Sequence, residues 1–246
     1  MVGNGQLCVH AVCLASYVYT LYFSLRYIGE GDEPYVYLFS YRGFAGKFKY
    51  MTFLNVLLQT FYFGLSLLND LTGSYVKPSD NGGRKSKLQS FLDVVLASLA
   101  YPIGVFVVMT FWAIYAVDRE LVYPKVLDAL IPQWLNHAMH TTVLPFLLIE
   151  QYVVFHDYPA RSKGISILLA FGFAYLCWIL WIAYYADLWV YPILQLMETH
   201  QRAIFFLVLL AFFITIYILG EVINKALWRK EYACKVQQKR KTKKIS

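Results

Sequence analysis

Charge is what this chain has least of. Only 15% of its 246 residues are Asp, Glu, Lys or Arg, against about a quarter in a soluble domain, and they lie between long apolar runs. A soluble domain of several buried helices is the alternative, and the length of those runs argues against it. Cysteine is also scarce. Cys8, Cys13, Cys177 and Cys234 make no CxxC and no zinc-ligand spacing, which argues against a disulfide framework. Cys234 follows the last apolar run, at a position open to palmitoylation. No G-x-S-x-G elbow is present, which excludes an ordinary α/β hydrolase. H-E-x-x-H, the P-loop and the dinucleotide-binding glycine fingerprint are missing too, so no cofactor is expected. Met1 to Gln6 contains no Lys or Arg. Without that basic region a cleaved signal peptide is not expected, and the first apolar run should be retained.

What is present is apolar and aromatic. The chain is 59% hydrophobic and 18% aromatic, with a mean hydropathy of +0.49, the profile of a polytopic membrane protein. Six apolar stretches, at about 7–27, 50–71, 91–117, 136–155, 165–186 and 203–227, are each about long enough to cross ~30 Å of hydrocarbon. The expected fold is an all-α membrane protein, a six-transmembrane-helix bundle over 1–228 followed by a basic tail over 229–246. Pro102 should kink the third span. The fourth span begins with polar residues that could instead lie at the interface.

Six spans put both termini on one side, together with Lys77, Arg84, Lys85, Lys87, Arg161, Lys163 and the tail. Arg42, Lys47, Lys49, Arg119, Lys125 and Arg202 fall on the other side, partly offset by acids. The positive-inside rule then makes both termini cytoplasmic. The net charge of +7 is mostly a property of the tail. Beside a span, such a tail meets anionic lipid rather than nucleic acid. It closes on Lys243-Lys244-Ile245-Ser246, which resembles the dilysine retrieval signal of endoplasmic-reticulum membrane proteins. The endoplasmic reticulum is the expected location, with the plasma membrane as the alternative.

Two polar features stand out against this background. Thr52, Asn55, Gln59, Tyr62 and Ser66 recur at helical spacing along the second span, so they share a face that should look into the bundle. Interhelical hydrogen bonding is the plain explanation of that stripe. His137 and His140 stand three residues apart at the mouth of the fourth span, where ionisable side chains mark functional sites. The second and fourth spans run the same way through the bilayer, and Thr52 and His140 both lie a few residues inside. They therefore share a depth, and form a candidate nucleophile and general base. The positive end of a helix dipole and its free N–H groups could stabilise an oxyanion and keep His140 neutral. Pro145 has no N–H for the Thr141 carbonyl and loosens the helix beside His140. Asn55, Gln59, Asn136 and His137 are candidates for binding substrate or supporting the pair. A metal site from His137, His140 and Glu150 is conceivable, but this spacing is weak evidence and no metal is expected. Asp93, Asp118, Glu120, Asp128 and Glu221 lie near span ends, where solvated or paired carboxylates are ordinary, and no third catalytic member is assigned.

Several stretches resemble the androgen-induced-gene family of membrane proteins, which includes the androgen-dependent regulator of tissue factor pathway inhibitor. The resemblance runs through Lys49-Tyr50-Met51-Thr52-Phe53-Leu54, Ala100-Tyr101-Pro102-Ile103-Gly104 and Tyr115-Ala116-Val117-Asp118-Arg119-Glu120. It is most specific in Ile131-Pro132-Gln133-Trp134-Leu135-Asn136-His137-Ala138-Met139-His140-Thr141-Thr142, and continues in Trp189-Val190-Tyr191-Pro192. It covers roughly 45–228 and leaves the first forty residues poorly matched. The resemblance implies six spans and hydrolysis of fatty acid esters of hydroxy fatty acids. It also implies an essential Thr and His, which fall on Thr52 and His140. The partners implied are a branched lipid ester and the surrounding membrane lipids. A non-enzymatic membrane regulator or scaffold is the second expectation. A lipid transporter is the third, although no inverted repeat or matched broken helices support it.

Overall fold

The computed structural model describes residues 4–28, 44–73, 75–80 and 85–245, without the side chains of residues 4, 239 and 241–245. Arg42 and Arg84 lie outside the described residues, as do the side chains of Lys243 and Lys244, on which the orientation and retrieval expectations partly draw. No strand occurs among the described residues. Five helices among the described residues are long and apolar enough to cross a membrane: α1 (Asn4–Tyr27), α2 (Met51–Leu71), α3 (Lys87–Val117), α6 (Arg161–Ala186) and α8 (Thr199–Leu227).

The fourth expected span is not one helix. It divides into α4 (Gln133–His140) and α5 (Val143–Val153). Pro145 has no N–H for the Thr141 carbonyl, and the N–H groups of Thr141 and Thr142 both turn back to the His137 carbonyl, at 2.8 and 3.0 Å. The break therefore falls immediately after His140. Two further α-helices among the described residues are the short α7 (Pro192–Leu196) and the basic α9 (Arg229–Ile245).

Despite its break, α4–α5 keeps register with its neighbours. His140 meets Thr52 of α2 at 3.1 Å, and ten residues on Glu150 meets Tyr62 of α2 at 2.6 Å. Both pairs are 88 positions apart in sequence, so α2 and α4–α5 run parallel without slipping. Against α1 the direction reverses. Trp134 stacks on Tyr19 and packs edge-on to Phe23, while Glu150 reaches His10 at 2.8 Å.

The centre of the bundle is α3. Its most apolar window is 78% buried, against 22% for α8, so α8 turns most of its side chains outward and α3 few. A π turn over Leu96–Ala100 interrupts α3, with the Tyr101 N–H bonded to the Leu96 carbonyl. Pro102 lacks the N–H that would close the α-helical bond to Ser98. The expected disturbance is thus an extra residue in the turn just before Pro102. Beyond it, Phe106 stacks on Phe213 of α8, with ring centroids 4.0 Å apart. Gly220 of α8 lies so close to Tyr101 that an added Cβ would stand 2.5 Å from Cε1.

Candidate active site

Thr52 is the second residue of α2, and its Oγ1 lies 3.1 Å from His140 Nε2. On the opposite side of the ring, His140 Nδ1 lies 3.0 Å from the backbone carbonyl oxygen of Asn136. A carbonyl can only accept, so Nδ1 carries the hydrogen and Nε2 of the neutral ring presents its lone pair to the threonine hydroxyl. The Thr52 O–H therefore donates to His140. One carbonyl four residues back fixes both tautomer and direction.

Packing holds the ring in that pose. His140 is 8% exposed, and Phe111 lies over it nearly parallel, with centroids 3.6 Å apart. The Trp112 indole N–H donates to the His140 carbonyl at 2.8 Å. Without the α4–α5 break this carbonyl would face the N–H of residue 144 inside a continuous helix. The break frees it for Trp112 and ties α4 to α3.

Two cavities meet at Thr52. The larger encloses about 880 Å³ of space, partly open to the outside, between α2, α3, α6, α7 and α8. Apart from Thr52, Thr110, Tyr175 and Tyr191 its walls are apolar, with Phe106, Phe111, Leu176, Ile179, Phe206 and Leu209 among them. The second, of about 710 Å³ and also partly open, contains Thr52 and His140 together with Ser24, Lys47, Tyr123 and Asn136. Thr52, Phe111, Val122 and Tyr191 line both.

The other expected site residues divide. Asn136 lines the second cavity, and its Oδ1 is buried without a hydrogen-bond partner. His137 does not line either cavity. It stacks against Trp112 at 5.6 Å and bonds through Nδ1 to Thr141 Oγ1 at 3.0 Å. Asn55 and Gln59 lie below Thr52, away from both cavities. Gln59 Nε2 bonds to Asn55 Oδ1 at 3.0 Å and to the Ala100 carbonyl at 2.8 Å. They join α2 to α3 and do not face a substrate space.

Two expectations are corrected, and the metal alternative that was set aside finds no support. His140 ends α4 rather than beginning a helix, so the carbonyl end of the dipole is near it and a dipole cannot be what keeps it neutral. The start of α2 is also largely closed as an anion site. The Tyr50 N–H bonds to the Lys47 carbonyl and the Phe53 N–H to the Tyr50 carbonyl, each at 3.1 Å. The Met51 N–H meets the hydroxyls of Tyr175 and Tyr191 at 3.0 and 3.1 Å. Glu150, finally, does not join His137 and His140. It bonds to His10, Tyr62 and His156 well below them, and no cluster suited to a metal occurs among the described residues.

Comparison with known proteins places these features in a family. The FAR-17a/AIG1-like protein family model matches residues 5–225. The chain belongs to the FAR-17a/AIG1-like family. The match includes α1, which the sequence resemblance had left out. The chain is 44% identical to the human (Homo sapiens) androgen-induced gene 1 protein, over 77% of its own length and 81% of that relative. It is 40% identical to the human androgen-dependent TFPI-regulating protein, over 75% and 78%. A Schizosaccharomyces pombe membrane protein is 24% identical over 74% of this chain and 77% of its own length. No solved structure matches. With five apolar helices of spanning length, the FAR-17a/AIG1-like chain is a multi-pass membrane protein. Sequence reasoning missed Phe111, Trp112, Tyr175 and Tyr191. They come from three separate segments, and an aromatic in an apolar run carries no mark of the polar group it serves.

Proposed function

We propose that this protein is a membrane-embedded threonine hydrolase that cleaves the ester bond of fatty acid esters of hydroxy fatty acids. The observation that carries the reading is the Thr52–His140 hydrogen bond with the Asn136 carbonyl behind it. In this reaction Thr52 Oγ1 attacks the ester carbonyl carbon while His140 Nε2 takes its proton. The tetrahedral intermediate then collapses, and the departing alkoxide receives that proton from His140. Water, deprotonated by the same imidazole, releases the acyl group from Thr52. The two cavities suit two long limbs joined at one ester, since both open onto Thr52. Lys47 lines only the second, which suits the limb bearing the free carboxylate.

The broken α4–α5 segment serves as the sixth crossing, with both termini in the cytoplasm. Its parallel register with α2 supports this. The test of the activity is hydrolysis by the purified protein in detergent, with labelling by a hydroxyl-directed fluorophosphonate. Thr52→Ala and His140→Ala should each lower hydrolysis by on the order of 10³-fold or more, and Thr52→Ala should abolish labelling. Activity that survives both substitutions overturns the mechanism.

The names of the two human relatives refer to androgen response and TFPI regulation rather than to catalysis, which favours a regulator as the second reading. Full regulation of a partner by the Thr52→Ala protein would support it. Transport is the weaker reading, because the α2 stripe below Thr52 is packed away from both cavities. Residence in the endoplasmic reticulum through Lys243 and Lys244 is part of the proposal. Changing both to Ser should move a reticular distribution outward, and an unchanged image removes the signal.

A further inference from the structure

Ester hydrolysis at Thr52 places negative charge on the former carbonyl oxygen, and that charge needs hydrogen-bond donors. Of the four N–H groups at the start of α2, those of Tyr50, Met51 and Phe53 are engaged. Among the described residues, only the Thr52 N–H is left without an acceptor. One donor is a thin provision in a cavity walled by hydrocarbon. The second must come from a side chain already beside the nucleophile.

Two tyrosines converge there. Tyr175 of α6 donates its hydroxyl proton to the Lys49 carbonyl at 2.9 Å, so that proton is committed. The Tyr191 hydroxyl oxygen lies 3.1 Å from the Met51 N–H, from which it accepts, and 3.0 Å from the Tyr175 hydroxyl. Among the described residues its own proton faces no carbonyl or carboxylate. It can point to the Tyr175 oxygen, or turn about the C–O bond into the cavities. Tyr191 lines both cavities beside Thr52, whereas Tyr175 lines only the larger.

The segment carrying Tyr191 is braced. Pro192 opens α7 directly after it. Arg202 of α8 bonds through Nε to the Leu194 carbonyl at 2.8 Å and lies 4.0 Å over the Trp189 ring. A hydroxyl held this way does not have to be gathered in during the reaction.

We infer that Tyr191 is a catalytic residue of the proposed hydrolysis, its O–H completing with the Thr52 N–H an oxyanion hole for the ester carbonyl. The inference rests on the hydrolase reading. As Thr52 Oγ1 bonds to the carbonyl carbon, its proton passes to His140 Nε2 and the carbonyl π pair becomes a lone pair on oxygen. Tyr191 swings its O–H from Tyr175 onto that oxygen and keeps its proton throughout. On collapse the C=O bond reforms, the alkoxide leaves with the proton from His140, and Tyr191 returns to Tyr175. Tyr175 is a positioning residue that holds Tyr191 and the start of α2.

The test compares wild type with Tyr191→Phe, Tyr175→Phe and Thr52→Ala, using the ester substrate and a trifluoromethyl ketone of matching chain length. Loss of one oxyanion donor costs about 10²–10³ in kcat. Tyr191→Phe should therefore lose that much kcat with KM within about threefold, and lose a similar factor in affinity for the ketone, whose hemiketal adduct with Thr52 carries the oxyanion. Tyr175→Phe should lose less than Tyr191→Phe, and mostly through thermal stability. To separate loss of the hydroxyl from any unpacking of α7 in Tyr191→Phe, a difluorotyrosine placed at 191 provides a second variant of nearly the same shape. Its more acidic phenol should draw the high-pH fall in kcat to lower pH. Tyr191→Phe with near wild-type kcat and ketone affinity, in a protein that Thr52→Ala silences, overturns the role of Tyr191 alone. Full activity in Thr52→Ala overturns the threonine mechanism beneath it, and a wild type that does not cleave the ester overturns the hydrolase reading itself.

Discussion

Lys49 places an ammonium group where water scarcely reaches. It ends the 3₁₀ turn Gly46–Lys49 just before α2, is 1% exposed, and lies 5.4 Å from the centre of the Tyr50 ring. Desolvation by burial pulls its pKa down to about 8 from the usual value, because taking the charged form out of water costs more than the neutral amine does. The sign for stability follows. The unfolded lysine titrates near ~10.4, so between about 8 and 10.4 the unfolded chain binds more protons than the folded one. Stability contributed at Lys49 therefore rises with pH through that window, and below it the charged form is a fixed penalty. Lys49→Met should melt at a higher temperature than wild type at pH 7, with the gap closing towards pH 10. A gap that stays constant with pH means the ammonium is adequately solvated after all. The same residue is tied to the site, since its carbonyl receives the Tyr175 proton.

Helix by helix, the legible parts are those where one physical signal dominates. Runs of about twenty apolar residues set out α1, α2, α3, α6 and α8, because hydrocarbon tolerates no unpaired backbone. The observed helices begin a few residues earlier than the apolar runs, at Asn4, Lys87, Arg161 and Thr199. Helical hydrogen bonding extends into the interface while hydropathy stops at the last apolar side chain. Pro145 announced a loosened helix, and Pro102 a disturbance, because a missing N–H is a local fact. The nearness of Thr52 and His140 was legible as shared depth, which needs only the number of crossings between them. The tautomer of His140 was not, since it depends on a carbonyl orientation that exists only once α4 is wound. Nor was the engaged Met51 N–H at the start of α2, whose partners lie more than a hundred residues away in Tyr175 and Tyr191. The dipole expectation failed for a related reason. A single span over 136–155 puts His140 near a helix start, but the break turns the same residue into a helix end.

Across the whole bundle, polar chemistry gathers at two levels. The second level lies about 15 Å below Thr52, reckoned along α2 to Tyr62 at 1.5 Å per residue. Here His10 of α1 lies 2.6 Å from Asp70 of α2 and 2.8 Å from Glu150 of α5. Glu150 also accepts from Tyr62 at 2.6 Å and lies 3.1 Å from His156, which in turn lies 3.2 Å from Asp93 of α3. Lys85 closes on Asp93 at 2.6 Å. Lys85 also lies 3.5 Å from Asp157, which pairs with Lys235, so Asp70, Asp93, Glu150 and Asp157 face His10, His156, Lys85 and Lys235, four acids against four bases, and the set is neutral when both imidazoles are protonated. Glu150 is the hub, 0% exposed and in contact with three partners from α1, α2 and the segment after α5. Lipid between helices provides little hydrophobic drive for association, so such a hub fixes which helices meet. Removing one partner of a buried ionic set costs about 3–5 kcal/mol, because the others remain buried and unmatched. Glu150→Gln keeps the shape and removes the charge. It should lower the melting temperature in detergent by on the order of 10 °C, taking about 2–4 °C per kcal/mol for a chain of this size. Glu198→Gln, at an exposed pair with His200 and in the N-terminal capping box of α8, should shift it far less, because the amide oxygen still accepts from the Gln201 N–H. Hydrolysis per folded molecule should hold in both, since Thr52 and His140 make no contact with this lower set. A Glu150→Gln protein that melts with wild type would show that the network does not hold the helices together. One that melts normally but has lost kcat would make Glu150 part of the reaction, and the two levels a single site.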